Sequence, residues 1–223
     1  MSPRDSKRKK LSCKFCQKNA EFMKLYNDFF CPSCLRFQKE SVVTDPKLLP
    51  VLKLKKYKFS AQKYTYFIYS EIDSKIGSCE RRDLSKYINK KDYNIRYIFL
   101  NDMDRIIASL DGKTVNALKD SDASWKVYDY GRNLRGEIKL ISESDTWQIL
   151  DPNGKIVGLR DPQDGKVALQ TARQFTMLDA NNPENILFRI SRKVGFNLQM
   201  ISEDFDPHLA WATVIGIHRK YYL

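Results

Sequence analysis

One short pattern keeps returning along this chain and restricts its fold more than any other feature: a few strand residues, an acidic or Asn-rich turn, then strand residues again. It runs from Tyr97 through Asn101-Asp102-Met103-Asp104 to Ile107, and from Trp125 through Asp129-Tyr130-Gly131 to Ile138. It returns from Trp147 through Asp151-Pro152-Asn153-Gly154 to Val157, and more loosely from Phe175 through Asp179 to Phe188. Pro presets φ at such a turn, while Asn and Gly tolerate the positive φ of a tight reversal. Short strands joined in this way make an antiparallel meander, which buries its apolar face only by closing on itself or pairing into two sheets. At 42% hydrophobic and 12% aromatic residues, a packed core is within reach. Helical spacing is scarce; Asp83 to Ile88 shows i, i+3, i+4 periodicity and reads as a short inserted turn.

The C-terminal stretch is different. Asp206-Pro207 is a helix start, with Asp as N-cap and Pro at the first helical position. Leu209-Ala210-Trp211-Ala212-Thr213-Val214-Ile215-Gly216-Ile217 then follows, apolar on every face. A helix of that kind must be surrounded by protein, yet it falls short of the roughly 20 residues that span a bilayer. One place that meets both conditions in an all-β protein is the lumen of a barrel. His218-Arg219-Lys220 complement the helix dipole at its end. The fold class expected is therefore mainly β: a closed antiparallel β-barrel around a hydrophobic C-terminal helix at about 207–220.

Nearer the start, Cys13-Lys14-Phe15-Cys16 and Cys31-Pro32-Ser33-Cys34 are two C-x-x-C knuckles fourteen residues apart. Two knuckles supply four soft thiolates in the tetrahedral arrangement that Zn²⁺ accepts. Between them Ala20 to Tyr26 partly alternates, Asn27-Asp28 signals a turn, and Phe29-Phe30 leads back, so residues 11–38 read as a zinc ribbon with one structural ion. Two disulfides would need an oxidising compartment, and a redox pair belongs in a βαβ unit. A full thiolate shell leaves no open position for water or substrate. Cys79, without a partner in this pattern, reads as a small buried residue.

The net charge of +12 is unevenly spread: residues 1–60 hold fifteen basic and five acidic side chains, leaving +2 for the remainder. A basic N-terminal quarter faces a polyanion, either nucleic acid or an anionic membrane surface, or else is a solvated tail. The organisation read from these signals is a basic tail at 1–10, the four-cysteine zinc ribbon at 11–38, a linker at 39–54 containing Pro46 and Pro50, and the barrel at 55–223. No apolar run approaches membrane-spanning length and the first ten residues lack a signal-peptide core, so the location expected is cytoplasmic, peripheral on a membrane surface.

A β-meander with repeated Asp-x-x-Gly-type hairpins and a hydrophobic end-helix resembles the tubby C-terminal-like superfamily, its phospholipid scramblase and LURP-one-related branch above all. The segments carrying the resemblance are Leu150 to Gly158, Gly195 to Met200, and Asp204-Phe205-Asp206-Pro207 with the closing helix. It spans about residues 55–223 and implies a twelve-stranded barrel around the helix. Scramblases bind Ca²⁺ through acidic residues before the last helix, but Arg192 and Lys193 stand where oxygen ligands are wanted. Glu203, Asp204 and Asp206 come only at the helix entrance, where capping accounts for Asp206. Tubby proteins bind phosphoinositide head groups through basic residues of the barrel wall. The corresponding anion-binding candidates are Arg132, Arg135, Lys139, Arg189, Arg192 and Lys193, together with Lys7, Arg8, Lys9 and Lys10 of the tail.

Signals for an enzyme are missing. His208 and His218 lie ten residues apart, Gly131 and Gly136 are followed by Glu137 where a phosphate loop needs Lys-Ser/Thr, and no G-x-G-x-x-G or G-x-S-x-G occurs. The function expected is a non-enzymatic, zinc-containing binding protein whose barrel and basic N-terminal region take an anionic ligand, foremost phospholipid head groups. The alternative is a nucleic-acid-binding or transcription-related adaptor acting through the ribbon, where Phe15, Phe22, Tyr26, Phe29 and Phe30 interleave with Lys14, Lys18 and Lys24. Docking of a protein partner on the ribbon is the third possibility.

Overall fold

The computed structural model describes residues 10–23, 27–34, 36–39, 50–62, 65–83, 95–112, 123–141, 144–164, 174–193 and 195–221. The chain divides into two compact units, Met1–Ser41 and Val42–Leu223.

The first unit is a four-stranded antiparallel sheet in the order β1 (Lys10–Ser12), β2 (Asn19–Met23), β3 (Asp28–Cys31) and β4 (Arg36–Phe37). Asn27 takes the positive φ of the β2–β3 connection, 48°. Asp28, expected in the turn, instead pairs with Met23 as the first residue of β3. Its carboxylate accepts the N–H groups of Phe29 (2.7 Å) and Lys39 (2.9 Å), which compensates a nearly buried acid. Met23, Phe30 and Phe37 are buried, with the Phe30 and Phe37 rings 5.0 Å apart.

The second unit contains β5 (Lys56–Gln62), β6 (Thr65–Ser70), β7 (Lys75–Asp83), β8 (Ile95–Asn101), β9 (Ile106–Gly112) and β10 (Ala123–Asp129). It continues with β11 (Leu134–Ile141), β12 (Thr146–Leu150), β13 (Ile156–Arg160), β14 (Gln174–Asp179), β15 (Ile186–Lys193) and β16 (Gly195–Met200). Each strand pairs antiparallel with the next, and β16 returns to β5 through Phe196↔Phe59 to Gln199↔Lys56, closing a twelve-stranded barrel. The recurring turns share one device: the acid or amide ending a strand folds its side chain over the reversal. Asn101 Oδ1 accepts from the backbone of Met103 and Arg105, Asp129 Oδ1 from Asn133, and Asp151 Oδ1 from Asn153 and Lys155. The helical turn expected at Asp83–Ile88 is strand at Asp83, and residues 84–88 lie outside the described residues.

Helix α1 (Pro207–Tyr221) occupies the lumen. Its side chains meet strands all around the wall. Trp211 lies against Tyr57 and Phe59 of β5 and Phe99 of β8, and His218 against Tyr66 of β6 and Phe196 of β16. Gly216 faces the stacked pair Trp125–Trp147 of β10 and β12, whose rings are parallel at 5.7 Å. Ala210, Trp211, Ala212, Thr213, Val214 and Ile215 are wholly buried. A barrel of this size leaves an interior wider than wall side chains alone fill, and a helix about 10 Å across occupies it. Thr213 satisfies its hydroxyl on the Leu209 carbonyl one turn back (2.8 Å).

Gly136 is a point of close approach rather than part of a phosphate loop: a Cβ there would lie 2.3 Å from the Leu150 carbonyl oxygen and 3.0 Å from Leu209 of the helix. Leu52 and Leu54, at the end of the stretch read as linker, pack against the barrel core. Among the described residues no helix is long and apolar enough to cross a membrane.

Candidate metal centre and anion-binding groove

The four knuckle cysteines converge. Their Sγ atoms all lie within 4.8 Å of one another, with Cys13–Cys34 and Cys16–Cys31 each 3.5 Å apart. Hairpin β2–β3 makes this possible: β1 delivers the first knuckle to one end of β2, and β3 carries the chain back to Cys31. A knuckle turns its own backbone toward sulfur, and the Phe15 N–H donates to Cys13 Sγ at 3.4 Å. A further residue, absent from the motif, supports it. Gln38 donates from Nε2 to Cys13 Sγ (3.3 Å) while its Oε1 accepts the Lys14 N–H (2.7 Å). Burial acts to raise the Cys13 thiol, but the Gln38 amide and the N–H groups of Phe15 and Cys16 outweigh it and bring the group down to about 6. Cys34, crowded by the other sulfurs as well as buried, is pushed up. Four sulfur donors at such separations fit a metal ion with an all-thiolate shell. Among the described residues this is the one cluster of three or more His, Cys, Asp or Glu with that capacity.

Cys79 is fully buried in the barrel core, and burial raises its thiol well above the ordinary value, as suits a packing residue.

The basic residues expected on the barrel wall fall in separate places. Arg132, at φ +68°, sits in a buried network: its guanidinium donates to Ser109 Oγ (2.7 Å) and Asp111 Oδ2 (2.9 Å), and Arg96 holds Asp111 in a two-pronged pair (2.7 and 2.9 Å). Arg135 is bound to Asp206 at the helix start (2.6 Å), and Lys139 lies 3.9 Å from Glu137 on the same strand. β11, which carries Arg135 and Lys139, is separated from β15, which carries Arg189, Arg192 and Lys193, by three strands. Arg132, Arg135 and Lys139 therefore do not join Arg189 and Arg192 in one patch. The side chains of Lys10 and Lys193, and all of Lys7, Arg8 and Lys9, lie outside the described residues. Asp206 caps the helix as expected, accepting the N–H of His208 (2.9 Å), and Glu203 pairs with Lys55 (2.7 Å).

Arg189 is the exception. The ladder aligns it with Gln199 and Lys56 across β15, β16 and β5, and the next outward row is Gln174, Ser191, Asn197 and Lys58. These two rows line a groove of about 490 Å³ on the outer wall. Alternation explains the arrangement: Tyr57 and Phe59 point inward to Trp211, so Lys56 and Lys58 point outward. Lys56 pairs with Glu71 and Lys58 with Asp73 (2.7 Å), both from the β6–β7 turn. Arg189 Nε is buried and has no hydrogen-bond acceptor among the described residues. Buried donors are nearly always satisfied, so this one marks a place in the groove where an acceptor is missing. Lys56 and Lys58 belong to this site and were missed; the signal was their period-two spacing with Tyr57 and Phe59.

No family model matches the chain, and no curated protein is significantly similar to it. Among solved structures, an X-ray structure of a protein from Arabidopsis thaliana superposes with a TM-score of 0.48 at 12% identity, covering 80% of this chain and 95% of that one.

Proposed function

We propose that this chain is a non-enzymatic binding protein: a zinc-stapled ribbon joined to a tubby-like barrel, of the scramblase and LURP-one-related kind, that binds anionic phospholipid head groups on its outer wall. The observation that carries the reading is Arg189, a half-buried guanidinium whose Nε–H lacks an acceptor among the described residues, in a groove lined also by Lys56 and Lys58, by their partners Glu71 and Asp73, and by neutral polar side chains, so that three cations face two carboxylates. A phosphate offers paired oxygens that accept two N–H hydrogen bonds from such a guanidinium at once. A helix-filled lumen leaves the wall as the place for a ligand, and the basic N-terminal quarter adds attraction on the order of 1 kcal/mol per Lys or Arg near a charged leaflet. Zinc follows from donor softness: four thiolates suit Zn²⁺, which gains folding energy for a small module rather than a reactive centre.

Sedimentation of the full chain with phosphatidylcholine vesicles, with and without phosphatidylserine or a phosphoinositide, tests this. Binding that needs the anionic lipid and weakens about tenfold in Arg189→Ala supports it; equal binding by wild type and variant, or none at low salt, rejects it.

A specific observation favours a second reading for the ribbon. The Phe15 ring is flanked by the cations of Lys14 (4.8 Å) and Arg36 (4.7 Å), and Phe22 is 47% exposed beside Phe29. Aromatic faces among cations suit stacking on single-stranded nucleic acid. A single-stranded oligonucleotide that binds with a steep salt dependence, lost in Phe22→Ala, supports this reading.

A further inference from the structure

The wall groove has a neighbour. At the barrel end where α1 begins, a second groove of about 330 Å³ is walled by Leu52, Leu54, Met200, Ile201 and Phe205. The two are consecutive along one seam. The polar groove uses the Lys56↔Gln199 pair of the β5–β16 ladder, and the apolar one starts a residue further on, where the Met200 N–H donates to the Lys55 carbonyl (2.8 Å). Both volumes fall within the range of small-molecule sites. Ile201 is 41% exposed beside Met200 and Phe205, which are partly buried against the core, so an apolar face is left toward water at the mouth.

Cationic and apolar recesses placed end to end match an amphipathic anion. We infer that the mouth groove takes the hydrocarbon chain of a ligand whose phosphate lies against Arg189, so that the β5–β16 seam is a site for a single-chain anionic lipid. This rests on the preceding reading that the wall groove binds a phosphate head group. The wall groove supplies charge complementarity and the mouth supplies apolar surface; neither alone selects a lysophospholipid over a free phosphate or an uncharged chain. Two lysines, Lys53 and Lys55, also line the mouth; Lys55 is paired with Glu203 there and is largely exposed to water.

Calorimetric titration of the full chain with glycerol phosphate, octanoyl-lysophosphatidate and lauroyl-lysophosphatidate, all below their micelle-forming concentrations, tests this. The expected result is measurable binding of glycerol phosphate and affinity that rises with chain length, roughly tenfold for every two methylenes the mouth buries. In Ile201→Asp, at an exposed position where folding is not at stake, the rise with chain length should vanish while glycerol phosphate binds as before. In Arg189→Ala all three probes should weaken by a similar factor and the rise with chain length should remain. Glycerol phosphate binding without any gain from the chain, or a gain that survives Ile201→Asp and Leu54→Asn, overturns the mouth groove and leaves the head-group site standing. Failure of all three probes overturns both.

Discussion

The Tyr66 hydroxyl lies 2.8 Å from His218 Nδ1, tying strand β6 to the last turns of the central helix. Burial raises the Tyr66 phenol well above its ordinary value, so the hydroxyl keeps its proton and donates it. His218 is therefore the acceptor, neutral, with its proton on Nε2. Burial, with the charges of Arg219 and Arg192, lowers His218 to about 4 from 6.5.

That shift makes the barrel acid-sensitive. Between pH 6.5 and about 4 the unfolded chain binds a proton that the folded chain refuses. The stability concerned is complete above pH 6.5 and is lost as pH falls toward 4. After allowance for partial solvent exposure it amounts to about 2 kcal/mol. Urea unfolding followed from pH 7 to pH 4 should show the decline, and His218→Gln should flatten it. Tyr66→Phe should cost about 1 to 2 kcal/mol at neutral pH by leaving Nδ1 without a donor.

Asp206 joins three partners: the His208 N–H as helix cap, His208 Nδ1 (2.7 Å), and Arg135. Burial acts to raise its carboxyl, yet His208 and Arg135 prevail and hold it at about 2. Its contribution is present above pH 3.8 and fades as pH falls toward 2. Asp206→Ala should cost about 2 kcal/mol in a denaturant midpoint series. Arg135→Ala should cost under about 1 kcal/mol, because that side chain is 45% exposed.

The Arg96–Asp111 pair is nearly without solvent contact; burial acts to raise the Asp111 carboxyl, but the charges and hydrogen bonds of Arg96 and Arg132 prevail and lower it. Arg96→Met should cost about 3 to 5 kcal/mol, since it strips a buried carboxylate of its two-pronged partner. Arg132→Met should cost clearly less: its side chain is 17% exposed, and Asp111 keeps Arg96. Thermal or chemical unfolding of the two variants gives the order directly.

For the ribbon, one Zn²⁺ per chain is expected by elemental analysis, falling to none in Cys31→Ser. Gln38→Ala should retain the ion but bind it about 10- to 100-fold more weakly in chelator competition, because the amide that supports Cys13 sulfur is gone. Near-ultraviolet signals from Trp125, Trp147 and Trp211 should be unchanged in both variants, since all three indoles belong to the barrel core.

What could be read in the sequence was local. The turn at Asp151 to Gly154 carries its own chemistry within four residues, and two knuckles announce a metal site by spacing alone. The all-apolar run after Pro207 required a surrounded helix, and the barrel supplies the surroundings. The β6–β7 hairpin was less visible because Glu71-Ile72-Asp73-Ser74 has no Gly, Pro or Asn; Asp73 takes the positive φ instead, at 58°. The groove was hidden for another reason. Arg189 comes into one row with Lys56 only because β16 reaches back to β5, a pairing no local pattern expresses. Reading charge without register therefore grouped Arg189 with Arg135 and Lys139, which belong to another wall.

The seam between β5 and β16 also governs how this barrel comes into being. Its first strand has to wait for its last before the cylinder can shut, and the helix that fills the cylinder is made after both. Without that last pairing the eleven neighbouring pairings would make an open sheet with two unpaired borders and an uncovered apolar face. During synthesis such a sheet is exposed to edge-to-edge sticking, and the ring contacts of Trp211 with Tyr57, Phe59 and Phe99 each span more than a hundred residues of chain. Closure of the ring and seating of its axle thus both rest on contacts between distant parts of the chain, the kind of topology that folds slowly.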